Sequence, residues 1–298
     1  MTFIPKFGAA LRAGLRWRLL LLWVLVTSIS TASLALPIGR LLAQQLDHSV
    51  HAAEWAQRLK VLMIFDLGSA LQSDLPAISG SAEMAALLLF ILIPFLNGAF
   101  VASARAVTPL RLGELIREAL RQYGPMFRMM FMGLLPLAIA GVVEWATMKG
   151  VKHYGEHAVL ASDVDHLKWV AIAVSLVVFA WANASIDAGR ATLTLNPNKR
   201  SAIKAWWRGL KLVVMHPLRS LVLYGVITAM AAVLLAVVGW YRLHMSATSL
   251  WGFLFALLVT QLLVAVTAWM HYARLFGMLE LTRALQSVQP AETSPEKV

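Results

Sequence analysis

Six stretches of the chain are apolar almost without interruption, separated by polar or basic segments: residues 19–36, 84–104, 129–148, 169–186, 220–241 and 249–270. About 20 such residues cross the hydrocarbon core of a bilayer as a helix. A spanning β-strand would alternate over about ten residues, and these runs do not alternate. An isolated segment in lipid satisfies its backbone hydrogen bonds only as a helix. The pattern therefore predicts an all-α fold, a polytopic membrane helix bundle with six transmembrane helices. Residues 1–285 read as a single six-span domain. Residues 286–298, with two prolines and no apolar period, read as a disordered tail.

Before each odd-numbered span the apolar period becomes amphipathic. Phe3, Phe7, Leu11 and Leu15 recur at helical spacing among Lys6, Arg12, Arg16 and Arg18. Thr108-Pro109 is expected to open a second short helix, with Leu112, Leu115, Ile116 and Ala119 on one side and Arg117 and Arg121 on another, broken at Tyr123-Gly124-Pro125. A third carries Ile203, Trp207, Leu210 and Val214 as its apolar face, Lys204, Arg208 and Lys211 beside it, and stops at His216-Pro217. Helices of this kind lie in the headgroup layer, their cations reaching for phosphates. Pro37 ends or kinks the first span. Residues 38–82 are expected to hold an interfacial helix, with turns at Leu75-Pro76 and Ser79-Gly80-Ser81, and residues 149–168 a polar loop. Asn196-Pro197-Asn198 reads as a turn.

With 59% hydrophobic and 14% charged residues, the chain is too apolar for a soluble domain. Its formal charge of +11 raises the question of nucleic acid, but no nucleic-acid module is visible and the charges sort by side. With both termini cytoplasmic, the inside segments hold 19 of the 26 Lys and Arg but six of the 15 acids. The positive-inside rule thus points to a multi-pass protein of a bacterial inner membrane with both ends in the cytoplasm. Residues 1–36 have a second reading as a signal peptide with small residues near Ser33 and Ala35, whose cleavage would leave five spans. There is no cysteine, which excludes disulfides, thiol chemistry and thiolate-held metals.

The even spans close on Arg105, Arg190 and Arg274, each behind a small residue (Ala104, Gly189, Ala273) and spaced 85 and 84 apart. The unit of surface helix, span, outer loop, span and Arg thus occurs three times, an arrangement that membrane bundles use to build a site near a pseudo-symmetry axis. The span endings SAR, AGR and YAR, with the basic segments REALRQYGP and WWRGLKLVVMHP, resemble those of six-span bacterial inner-membrane proteins of unassigned function. These are related to the membrane region that precedes the catalytic domain of some glycerophosphodiester phosphodiesterases. The likeness covers most of residues 100–285. It implies membrane residence and lipid traffic; no catalytic domain of that kind is readable here, so it implies no phosphodiesterase activity.

Arg105, Arg190 and Arg274, with Lys204, Arg208 and Lys211, are candidates for binding an anion or lipid headgroup. The alternative is that they are topology signals snorkelling to the inner surface. Asp187 is either an i, i+3 partner of Arg190 or, with Asn183 and Asn97, part of a polar cavity. His153 and His157, with His48, His51 or Asp163, are a weak zinc candidate without a recognised ligand spacing. No nucleotide loop, nucleophile elbow or carboxylate pair appears, so no metal, cofactor or enzymatic step is assigned. Two readings remain. One is a non-enzymatic membrane factor recognising anionic lipid or a membrane-protein partner. The other is a transporter or carrier of a small or lipid-like anion, which needs a cavity lined by Asn97, Asn183 or Gln261.

Overall fold

The structure, a computed structural model, describes residues 3–46, 75–106, 108–156, 161–195, 201–245 and 249–288. Among these residues it is all helix: α1 Phe3–Gly14, α2 Trp17–Leu46, α3 Leu75–Arg105, α4 Leu112–Arg121, α5 Tyr123–Gly155, α6 Ala161–Leu195, α7 Ala202–Met215, α8 Pro217–Leu243 and α9 Leu250–Val288. Six of them, α2, α3, α5, α6, α8 and α9, are long and apolar enough to cross a membrane. The chain is a polytopic membrane protein.

The helices run well past the ends of the apolar stretches. At about 1.5 Å per residue, the 39 residues of α9 extend roughly 58 Å, about twice the hydrocarbon thickness. Between Tyr272 and Thr282 most of α9 is buried, so packing sustains the helix where hydropathy has ended. Residues 286–288, expected in the tail, are its last turn. Pro37 lies inside α2, and the expected turns at 75–81 form the first two turns of α3. Proline costs one backbone hydrogen bond, which a helix in lipid tolerates. Residues 149–155 and 161–168, expected as loop, are helical extensions of α5 and α6. The short α4 starts not at Thr108-Pro109 but behind Arg111, whose N–H donates to Glu114 Oε2 at 2.8 Å. That side-chain cap fixes the start three residues later. Of the interfacial helix expected within 38–82, residues 38–46 instead continue α2, and 47–74 lie outside the described residues, as does the turn at 196–198.

The contacts divide into two compact units. One comprises Met1–Leu15, Asn97–Ala229 and Met270–Val298. Within it α6 packs against both α5 and α7. Of the expected face of α7, Ile203, Trp207 and Val214 are 61%, 62% and 50% exposed and Leu210 is half-buried, while Ala202, Ala205, Gly209 and Val213 are buried. A Cβ on Gly209 would sit 2.6 Å from the Ala188 carbonyl carbon and 2.8 Å from Gly189 Cα, so the backbones of α6 and α7 touch. Thr192 Oγ1 spans the same contact, donating to the Ala205 carbonyl at 2.8 Å. Small residues bring helices together in lipid because large apolar side chains gain nothing by leaving it. Two other short helices dock in this manner. A Cβ on Gly98 of α3 would lie 2.5 Å from Ala119 O of α4, and one on Gly14 of α1 would lie 3.0 Å from Ala273 N of α9. Each short helix thus leans on an even-numbered span: α4 on α3, α7 on α6, and α1 on α9. Phe100, Tyr272 and Phe276 fill the space between α3 and α9, with Phe100 edge-on to Phe276 at 4.9 Å.

The other unit comprises Arg16–Leu96 and Met230–Trp269. There Ser30 Oγ on α2 donates to the Ala85 carbonyl of α3, and Arg242 Nε on α8 donates to Thr260 Oγ1 of α9 at 3.3 Å.

Candidate functional site

The first unit gathers the polar residues of four spans. Asp187 sits two turns before the end of α6 and is 4% exposed. Its neighbours Ala184, Ser185, Ile186 and Ala188 are buried too, so the carboxylate is held inside by packing on every side of the helix. Arg190, one turn on, donates from Nη1 to Asp187 Oδ1 at 2.8 Å, with side chains only 12% and 5% exposed. A pair so far from water is retained only where each charge has company.

That company arrives from α8 and α9. Arg274 donates from Nη1 to Tyr224 Oη at 3.1 Å and from Nη2 to Thr228 Oγ1, and contacts Met270 Sδ at 3.1 Å. Its guanidinium carbon lies 4.1 Å from the centre of the Tyr224 ring. Tyr224 and Thr228 present both groups because they are four apart on one face of α8, and the Thr228 hydroxyl is itself anchored to the Tyr224 carbonyl at 2.5 Å. Among the described residues Arg274 has no carboxylate within ion-pair distance, and its buried Nε has no hydrogen-bond acceptor. Asp187 lies within electrostatic range of both Arg190 and Arg274. Asp187 and the two guanidinium groups therefore stand together just past the apolar runs of α6 and α9, with hydroxyls and a π-face beside Arg274.

The cluster continues through His271, which also feels both arginines, to Asn97: His271 Nε2 and Asn97 Oδ1 are hydrogen-bonded at 3.1 Å. Asn97 is fully enclosed on α3. The cluster thus comprises two guanidinium groups, one carboxylate and the neutral hydrogen-bonding groups of Tyr224, Thr228, His271 and Asn97.

The remaining expected residues fall elsewhere. Arg105 donates from Nε to the Thr194 carbonyl and from Nη2 to the Leu193 carbonyl, both at 2.9 Å, and so closes the carboxyl end of α6. Cations suit that end, where carbonyls lack helical partners. Asn183 turns onto its own helix and donates to the Phe179 carbonyl at 2.8 Å. Lys204, Arg208 and Lys211 are exposed on α7 among Ile203, Trp207 and Val214. Gln261 belongs to the second unit, and its buried Oε1 lacks a partner among the described residues. His48, His51 and His157 lie outside the described residues, and His153 faces Glu156 at 3.8 Å.

Sequence reasoning did not single out Tyr224, Thr228 or His271. His271 stands three residues before Arg274, as Asp187 stands three before Arg190. Aligning the span endings would have flagged it. Tyr224 and Thr228 carry no comparable signal. No family model matches the chain, and neither a curated protein nor a solved structure matches it.

Proposed function

We propose that this polytopic membrane protein is a non-enzymatic factor that recognises an anionic group of a membrane ligand, with Arg190 and Arg274 holding the anion. The observation that carries this reading is the charge imbalance where α6 and α9 leave their apolar runs: two part-buried arginines, one carboxylate, and Arg274 with no carboxylate of its own. A cation withdrawn from water without a full counter-charge is costly, and an anionic ligand offsets that cost. Lys204, Arg208 and Lys211, exposed beside outward apolar residues of α7, add an attractive surface for anionic lipid. The charge distribution supports an inner-membrane orientation with both termini and the three short helices at the cytoplasmic face. The docking of α4 on α3, α7 on α6 and α1 on α9, each through a glycine, supports a threefold internal repeat of short helix and span. Arg105 donates to the carbonyls at the end of α6, away from the Asp187, Arg190 and Arg274 cluster, and is not part of this reading.

The test is native mass spectrometry of protein released gently from detergent. Wild type should carry a specific lipid or metabolite adduct that Arg274→Gln and Arg190→Gln lose; adducts retained by both variants would refute the assignment. A second reading, a carrier of a small or lipid-like anion, draws on the Asn97–His271 contact, which extends the polar cluster onto α3. Under it, Asp187→Asn protein that still elutes as a single folded gel-filtration peak should carry no flux of the adduct species in proteoliposomes.

A further inference from the structure

A separate feature of the first unit is a groove of about 320 Å³, open on one side, between α5 and the start of α7. Arg128, Phe131 and Met132 form one wall and Ser201, Ala202 and Ile203 the other. The second wall is held in place by the backbone contact of Gly209 with α6, so the groove is a product of close packing and not of a mobile side chain.

Its lining is divided by chemistry. Arg128 lies within the first two turns of α5, is exposed, and makes no ion pair or hydrogen bond among the described residues. Apart from Ser201, whose hydroxyl caps α7 by accepting from Lys204 N–H, the rest of the lining is apolar: Phe131 is 44% exposed, and Ile203 on the facing wall is exposed as well. Phe131 ends an aromatic ladder along α5, with Tyr123 stacked on Phe127 at 5.8 Å and Phe127 edge-on to Phe131 at 5.0 Å. Lys204 is exposed next to Ile203 on α7.

We infer that this groove binds one anionic phospholipid, its phosphate on Arg128 and the upper part of one acyl chain against Phe131, Met132 and Ile203. Each part of the lining selects for that occupant. A guanidinium takes two phosphate oxygens at once. The apolar walls would stay wet around a free phosphate, and an acyl chain removes them from water. A zwitterionic lipid brings an ammonium group that Arg128 and Lys204 repel. The inference rests on the spanning topology, which sets the start of α5 at headgroup depth, but not on the Arg190 and Arg274 site, with which it shares no residue.

The experiment is native mass spectrometry of the full chain in detergent, titrated with phosphatidylglycerol or with phosphatidylcholine of the same acyl chains. The comparison covers wild type, Arg128→Ala, Arg128→Lys, Ile203→Trp and Arg274→Gln. Wild type should retain one phosphatidylglycerol with about tenfold preference over phosphatidylcholine. Arg128→Ala should lose that preference, Arg128→Lys should keep part of it, and Ile203→Trp, which fills the groove and keeps the cation, should lower retention of both lipids. Elution as a single gel-filtration peak identifies folded variants; if Arg128→Ala aggregates, Arg128→Lys and Ile203→Trp still decide. Equal preference in wild type and folded Arg128 variants would overturn the inference, as would retention unchanged by Ile203→Trp. Preference lost only in Arg274→Gln would overturn it too, and would place the lipid phosphate at the intramembrane cluster. The converse, with Arg274→Gln intact and the groove variants defective, would support the groove and count against the cluster as the phospholipid site.

Discussion

Removing Asp187 should be the most damaging single change in the polar cluster, for a reason that follows from counting charge. Wild type holds one carboxylate against two guanidinium groups, so its net charge is +1. Asp187→Ala raises this to +2, Arg190→Ala lowers it to zero, and the double variant returns it to +1. At the 2.8 Å separation of Arg190 and Asp187, an effective dielectric of about 20 gives an attraction of about 6 kcal/mol before desolvation is subtracted. Removing one partner of a buried pair costs about 3–5 kcal/mol, and Asp187→Ala should fall in that range because it strands two cations. Arg190→Ala leaves Asp187 in the field of Arg274 and should cost about 1–3 kcal/mol. The double variant should recover much of the loss of Asp187→Ala, since a whole pair is removed and neighbouring sites are not additive. Equilibrium unfolding in mixed micelles of increasing SDS fraction, followed by the fluorescence of the 11 tryptophans, gives the four stabilities. The reasoning fails if Asp187→Ala is as stable as wild type, if Arg190→Ala is equally damaging, or if the double variant is worse than Asp187→Ala.

Other contacts make sharper local predictions. Gly209→Ala places a Cβ 2.6 Å from the Ala188 carbonyl carbon, so α7 must withdraw by about 1 Å at a cost of about 1–3 kcal/mol. Gly141→Ala, whose Cβ meets nothing within 4 Å, should be neutral or stabilising by up to about 1 kcal/mol; equal melting temperatures for the two would sink the close-packing argument. Arg105→Ala uncovers the Thr194 and Leu193 carbonyls and should speed amide exchange at the end of α6 while leaving α5 unchanged, as hydrogen exchange read by mass spectrometry would reveal. Because the chain lacks cysteine, Lys152→Cys and Arg208→Cys can be labelled singly in intact spheroplasts with an impermeant maleimide. Only Lys152→Cys should react, and labelling of Arg208→Cys alone would invert the topology.

The six spans were legible because hydropathy is local and additive: twenty apolar residues in lipid leave the backbone one solution, whatever the neighbours do. The pair of Asp187 with Arg190 was legible for the same reason, since an i, i+3 spacing fixes it within one helix. Helix ends were not. The apolar run marks where hydrocarbon stops, whereas α9 continues to Val288 because residues beyond Met270 are packed against other helices. The docking face of α7 was hidden by its own amphipathicity. Ile203, Trp207 and Val214 form the obvious stripe, but lipid accommodates them, and the face that packs is the small one around Gly209. The candidate site was divided in the same way. Sequence alone supplied its charges, and the fold decided which of them meet: Arg274 reaches Tyr224 across 50 residues and His271 reaches Asn97 across 174. Contacts over such separations have no period to read. They exist because α3, α8 and α9 bring their polar turns together, and a charge withdrawn from water is stable only where tertiary packing supplies its partner.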